Sequence, residues 1–174
     1  MDLEKCPGCG AEFPPFSGAT HPYMLSSARC WAAFGAVLAR EYSDPGLFDV
    51  HRLSVDAYAV QHPGNQSSRP ALQSVGLHLA RLTLQLERGL SPERANAAMV
   101  QLAEYKARFH WLEPPGSLGT ITVAQVSPLL EPAAHAAAVR AWARAALDAW
   151  QPHRPTIERW LTFAFIPVGN THLE

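Results

Sequence analysis

The chain has 174 residues, 48% of them hydrophobic and 17% charged, with a formal net charge of −1. That length and apolar content suit one globular unit with a packed core and exclude an intrinsically disordered chain. The near-zero charge leaves no basic footprint for nucleic acid or an anionic membrane surface, and no apolar run reaches the ~20 residues a membrane span requires.

The first 25 residues contain Pro7, Pro14, Pro15 and Pro22 with Gly8, Gly10 and Gly18, so regular structure there is short. Met1-Asp2-Leu3-Glu4-Lys5 has no basic stretch followed by an apolar one, which gives no signal-peptide pattern. All three cysteines fall early: Cys6 and Cys9 at C-x₂-C spacing, and Cys30. An odd number at knuckle spacing argues for a metal in a reducing, cytoplasmic compartment rather than for disulfides. With His21 the set reads C-x₂-C-x₁₁-H-x₈-C, a complete Cys₃His zinc pattern, and His62 is the rival fourth ligand. Segment 1–25 lacks a core of its own and needs a metal to hold a fixed shape.

A helix capped by Ser26 or Ser27 follows, with Trp31, Phe34, Val37, Leu38 and Tyr42 at helical spacing. Asp44-Pro45 starts a second helix carrying Leu47, Phe48, His51, Val55, Tyr58 and His62, closed by Pro63-Gly64. Pro70 begins a third, whose Leu72, Val75, Leu79, Leu82 and Leu86 form the clearest amphipathic stripe. Ser91-Pro92 begins a fourth, expected to run to Phe109 with Ala95, Met99, Leu102, Tyr105 and Phe109 inward. Thr122-x-x-Gln125 has the pattern of a capping box for a short helix to about Leu130. A long helix after Pro132 lays His135, Val139, Trp142, Ala146 and Trp150 on one face, and a short one spans about Pro155 to Ala164. Strand is expected only as a small hairpin around Cys6–Cys9 and briefly at Thr120–Val123. Leu173-Glu174 reads as a cloning remnant, so His172 beside it carries no weight. The fold expected is all-α: a bundle of about five to six helices (26–174) with a metal-knuckle head (1–25) packed on it as one compact domain.

If neighbouring helices are antiparallel, a rise of about 1.5 Å per residue brings Cys6, Cys9, His21, Cys30, His62 and His110 toward one end of the bundle. The same estimate lets His51, Asp56 and His78 meet partway down. His51 and His62 stand about 16 Å apart along one helix and cannot share an ion. Asp56-Ala57-Tyr58 and Gln61-His62 place polar side chains in packable helix, where they require partners or a pocket. No H-E-x-x-H, G-x-S-x-G, P-loop or G-x-G-x-x-G occurs.

C-P-G-C-G, T-H-P-Y before S-S-x-x-C-W, V-D-A-Y-A-V-Q-H-P-G and S-V-x-L-H-L together resemble an uncharacterised bacterial family of zinc-knuckle-headed helical proteins. The resemblance implies Cys6, Cys9, His21, Cys30, Asp56, Tyr58, Gln61, His62 and His78 as motif-bearing positions, and it implies no activity. Two functions are therefore expected in competition. One is a zinc-binding helical protein whose metal fixes the head, with a small molecule or protein as partner. The other is a metal-dependent hydrolase with His51, Asp56, Tyr58, His62, His78 and His110 around a pocket.

Overall fold

The structure is a computed structural model and describes residues 2–164; His172, Leu173 and Glu174 lie outside that span. Seven α-helices and one two-stranded ribbon make up the regular structure of the described residues, an all-α architecture with a small head. Helix α1, Ala28–Ser43, starts where the Ser27 hydroxyl accepts the Cys30 amide at 3.3 Å, and it buries Cys30, Phe34, Val37 and Glu41 along one stripe. Asp44 accepts the Gly46 amide at 2.9 Å and opens a 3₁₀ turn, Pro45–Leu47, that leads straight into α2, Phe48–Val60. Helix α2 is the axis of the molecule: nine of its 13 residues are buried.

Cap-then-proline signals set the next two starts. Ser68 caps α3, Arg69–Leu86, and Ser91 caps α4, Pro92–Ala103. Helix α4 is shorter than its apolar spacing predicts. Tyr105 adopts φ −102°, ψ 3°, and a 3₁₀ turn at Lys106–Arg108 redirects the chain. Phe109 then stacks on Trp160 with ring centroids 4.3 Å apart, lying over Gly76, where a Cβ would sit 2.6 Å from the Phe109 ring. The bare backbone at Gly76 is what lets that ring approach α3.

The expected capping box is present: Thr122 accepts the Ala124 amide and Gln125 accepts the Thr122 amide at 2.9 Å, starting α5. It spans only Val123–Val126 and stops short of Leu130. The strand expected at Thr120–Val123 does not form, because Thr122 is committed to the cap and the Ile121 carbonyl accepts from Gln61 Nε2 at 2.8 Å. Glu131 caps α6, Pro132–Ala149, through the Ala133 and Ala134 amides, which hold its carboxyl below the ordinary range. Helix α7 runs Arg154–Leu161.

Helix α2 packs against α1, α3 and α6. Two buried tryptophans of the α6 segment fix the end of α2: Trp142 Nε1 donates to Gln61 Oε1 at 2.8 Å and Trp150 Nε1 donates to the Val60 carbonyl at 3.2 Å. Gln61 also donates to the Leu118 carbonyl at 2.8 Å, so this buried amide has both ends satisfied. At the opposite terminus of the chain, β1 (Glu4–Lys5) pairs antiparallel with β2 (Glu12–Phe13), Glu4 opposite Phe13 and Lys5 opposite Glu12. No helix among the described residues is long and apolar enough to cross a membrane.

Candidate metal centre

The loop of the β-ribbon is Cys6-Pro7-Gly8-Cys9-Gly10. Cys6 N donates to the Ala11 carbonyl at 2.8 Å and Gly10 N to the Cys6 carbonyl at 3.0 Å, with Gly10 at φ +75°, a conformation glycine adopts without strain. Gly8 lies against the helical body. A Cβ there would meet the Leu25 carbonyl oxygen at 2.2 Å and His62 Cδ2 at 2.5 Å. The knuckle closes over His62 because position 8 has no side chain.

Four donor atoms converge beneath it. Cys6 Sγ stands 3.5 Å and Cys30 Sγ 3.4 Å from His62 Nε2, and the sulfurs of Cys9 and Cys30 are 3.7 Å apart. All four atoms lie within 4.8 Å of one another, a Cys₃His group able to bind a metal ion. Cys6, Cys30 and His62 are buried, and Cys9 is partly exposed. Cys30 comes from the first turn of α1, and His62 from the residue after the Gln61 cap of α2. The antiparallel pairing of these helices brings them to one end.

The surroundings orient His62 toward the sulfurs. Its Nδ1 lies 2.7 Å from the Tyr58 carbonyl, which can only accept, so the proton sits on Nδ1 and the Nε2 lone pair faces the sulfurs. Its ring stacks on Tyr58 at 3.9 Å, and Tyr58 stacks on Phe34 at 3.9 Å. The sulfurs also receive donors: Ser27 N–H reaches Cys6 Sγ at 3.4 Å and the Tyr58 hydroxyl reaches Cys30 Sγ at 3.7 Å.

Crowded thiols cannot all ionise without a cation. Contacts from Cys30 and then Cys9 hold the Cys6 thiol far below its ordinary pKa, helped by His62 and the Ser27 amide. At Cys9, Cys30 pulls the pKa down, but Cys6 and burial outweigh it and push it up to about 12. Cys30 is driven strongly upward by Cys6, by Cys9 and by burial. The Tyr58 hydroxyl is raised too, first by burial and then by the charge of Cys30.

His21, first choice by spacing for the fourth position, stands outside the donor group. Its Nδ1 accepts the amides of Tyr23 at 3.4 Å and Met24 at 3.3 Å, its ring packs edge-on to Tyr23 and Trp31, and burial lowers its pKa. His21 thus organises the Pro22 turn, and His62 occupies the place beside the sulfurs.

Of the residues expected around a second metal, Asp56 and His78 meet, whereas His51 and His110 lie with other partners. His78 Nδ1 pairs with Asp56 Oδ1 at 2.6 Å, but Arg81 also grips that carboxylate, with Nε 2.9 Å from Oδ2, and Gln85 adds a further donor. Asp56 is therefore consumed by its neighbours. His51 turns to a different acid, its Nδ1 3.0 Å from Glu41 Oε2. His110 lies edge-on to Trp160, 5.3 Å between centroids. Glu41 was not among the expected functional residues, although it is fully buried and joins His51, Ser54 and His135. Its signal was present: Cys30, Phe34, Val37 and Glu41 fall at i, i+4, i+7 and i+11, one helical stripe that is otherwise apolar.

A family model described as a family of unknown function (DUF5946) matches residues 4–151. The chain is also 31% identical over 101 residues to the UDP-N-acetylmuramate--L-alanine ligase of Chlorobaculum tepidum, a stretch covering 58% of this chain and 20% of the ligase. The chain thus spans about a fifth of that relative's length. No solved structure matches.

Proposed function

This chain belongs to the family of unknown function (DUF5946), and we propose that it is a helical binding or structural module whose Cys₃His group holds one zinc ion in a structural role. The observation that carries this reading is the spacing of the donors. Zinc bonds of about 2.3 Å to sulfur and about 2.05 Å to nitrogen, arranged tetrahedrally, separate two sulfurs by about 3.8 Å and a sulfur from a nitrogen by about 3.6 Å. Here the Cys9 and Cys30 sulfurs are 3.7 Å apart, the Cys6 and Cys30 sulfurs stand 3.5 Å and 3.4 Å from His62 Nε2, and every other pair lies within 4.8 Å. Four protein donors would fill the coordination sphere, which is the closed pattern of structural rather than catalytic zinc.

When bound, the ion supplies the positive charge that three neighbouring thiolates require. The chain's own residues supply the rest. Tyr58 fixes the imidazole tautomer, Ser27 and Tyr58 donate to the sulfurs, and Gly8 admits the knuckle. The ion would thereby join the ribbon to α1 and to the end of α2, so that segments 1–25 and 26–174 act as one unit. Reduced thiols at this site fit a reducing, cytoplasmic setting. The partner proposed is a small molecule or protein, and the hydrolase alternative gains no support from the scattered pairings of His51, Asp56, His78 and His110.

Metal analysis of the purified chain tests the reading: one zinc per chain is expected, and its removal by a strong chelator lowers the melting temperature. A chain that binds no zinc, or that melts identically with and without it, overturns the proposal.

A further inference from the structure

We infer that Cys9 and Cys30 form a peroxide-sensitive pair through which the metal centre is opened, their oxidation to a disulfide releasing the ion. The inference rests on the zinc reading above. Three of the four donors are sealed: Cys6 is 2% exposed, Cys30 0% and His62 1%. Cys9 is the partly exposed one; it lines one cleft together with Cys6 and a second that none of the other three donors reaches. One, of about 700 Å³, runs between the knuckle and the loop containing Pro114 and Gly119; the other, of about 510 Å³, opens toward Thr120. A small neutral peroxide therefore reaches Cys9 first. Both other sulfurs lie within 4.8 Å of it, and that of buried Cys30 stands at 3.7 Å, within contact distance for a disulfide partner.

The chemistry balances with hydrogen peroxide as oxidant. The Cys9 thiolate attacks one peroxide oxygen, the O–O bond breaks, and a sulfenic acid and hydroxide result. The Cys30 thiolate then attacks the Cys9 sulfur, forming the S–S bond and expelling the second hydroxide. Two thiolates have lost two electrons, and the peroxide, with two protons from solvent, has become two waters. The disulfide withdraws two of the four donors, and Cys6 with His62 alone hold zinc weakly. Because Cys9 lies on the ribbon loop and Cys30 on α1, the oxidised head stays tethered to the bundle, poised to reload zinc after reduction.

The test is a hydrogen peroxide titration of the zinc-loaded full chain, with a chromogenic chelator reporting free zinc and mass spectrometry locating disulfides and alkylated thiols. The expected result is one zinc released per Cys9–Cys30 disulfide, iodoacetamide then labelling Cys6, and full recovery with a thiol reductant plus zinc. Zinc retained through the titration, a disulfide that includes Cys6, or release accompanied by sulfinic acids alone overturns this inference and leaves the zinc reading standing. A purified chain that neither contains nor takes up zinc overturns both.

Discussion

The centre formed by Cys6, Cys9, Cys30 and His62 and the cluster formed by Arg40, Glu41, His51, Ser54 and His135 are both buried polar assemblies built largely on α1 and α2. In the cluster, Arg40 Nη1 lies 3.0 Å from His135 Nδ1 and Arg40 Nη2 donates to the Ser127 carbonyl at 2.9 Å. His135 Nε2 lies 3.0 Å from Glu41 Oε1, His51 Nδ1 lies 3.0 Å from Oε2, and Ser54 donates to Oε1. Arg40 and Glu41 bring one positive and one negative charge, and since a guanidinium only donates, His135 presents its Nδ1 lone pair to Arg40 and its Nε2–H to Glu41. Folding alone supplies both charges of that arrangement and leaves only the buried His51 Nε2 without a hydrogen-bond partner. The sulfur centre has lone-pair donors of a single kind facing inward, a group able to bind a metal ion. Burial by itself does not distinguish a structural network from a ligand site; the sign of what is left uncompensated does.

Removing one donor from each assembly separates them most sharply. Cys30→Ser should abolish stoichiometric zinc and cost about 4–5 kcal/mol, the class of effect seen on loss of a structural metal, or roughly 10–20 °C in melting temperature. Elemental analysis and thermal unfolding check it. Glu41→Ala should cost about 1–3 kcal/mol by leaving the imidazoles of His51 and His135 and the Ser54 hydroxyl without their acceptor, while zinc stays at one per chain. Zinc loss in that variant would break the distinction drawn here. Gly8→Ala should weaken zinc binding on the order of 10–100-fold in a competitive chelator titration, because the added carbon collides with the Leu25 carbonyl and the His62 ring. Tyr58→Phe removes one donor to Cys30 and keeps both ring stacks, so a loss of about 1 kcal/mol in denaturant unfolding is expected, with zinc still bound.

Much of the architecture was legible because caps and prolines punctuate this chain. Ser27, Ser91 and Thr122 each cap the helix that their sequence context announces, and Ser68 caps the helix expected from Pro70. The break after Ala103 was not legible, since apolar spacing continues through Phe109 and only the tertiary demand of the Gly76 notch diverts the chain. The cysteines stood out by spacing and by their confinement to the first thirty residues. The fourth position misled because sequence proximity favoured His21, whereas helix pairing delivers His62 from the far end of α2. Helix heights place His62 at the right end, but its proximity to the knuckle comes from position 8 lying against its ring. His51 and Asp56 were grouped by height alone. Five residues apart on a helix, they point about 140° from each other, and each found a different partner.

Fifty-six positions separate Cys6 from His62, and that distance governs how the centre can be assembled during synthesis. The knuckle emerges from the ribosome long before the imidazole that closes it. Until α2 has been translated and has docked on α1, the early sulfurs form an incomplete clasp, open to exchange with other thiols and metal carriers. Capture of an ion by all four donors would therefore report that the first two helices have found each other.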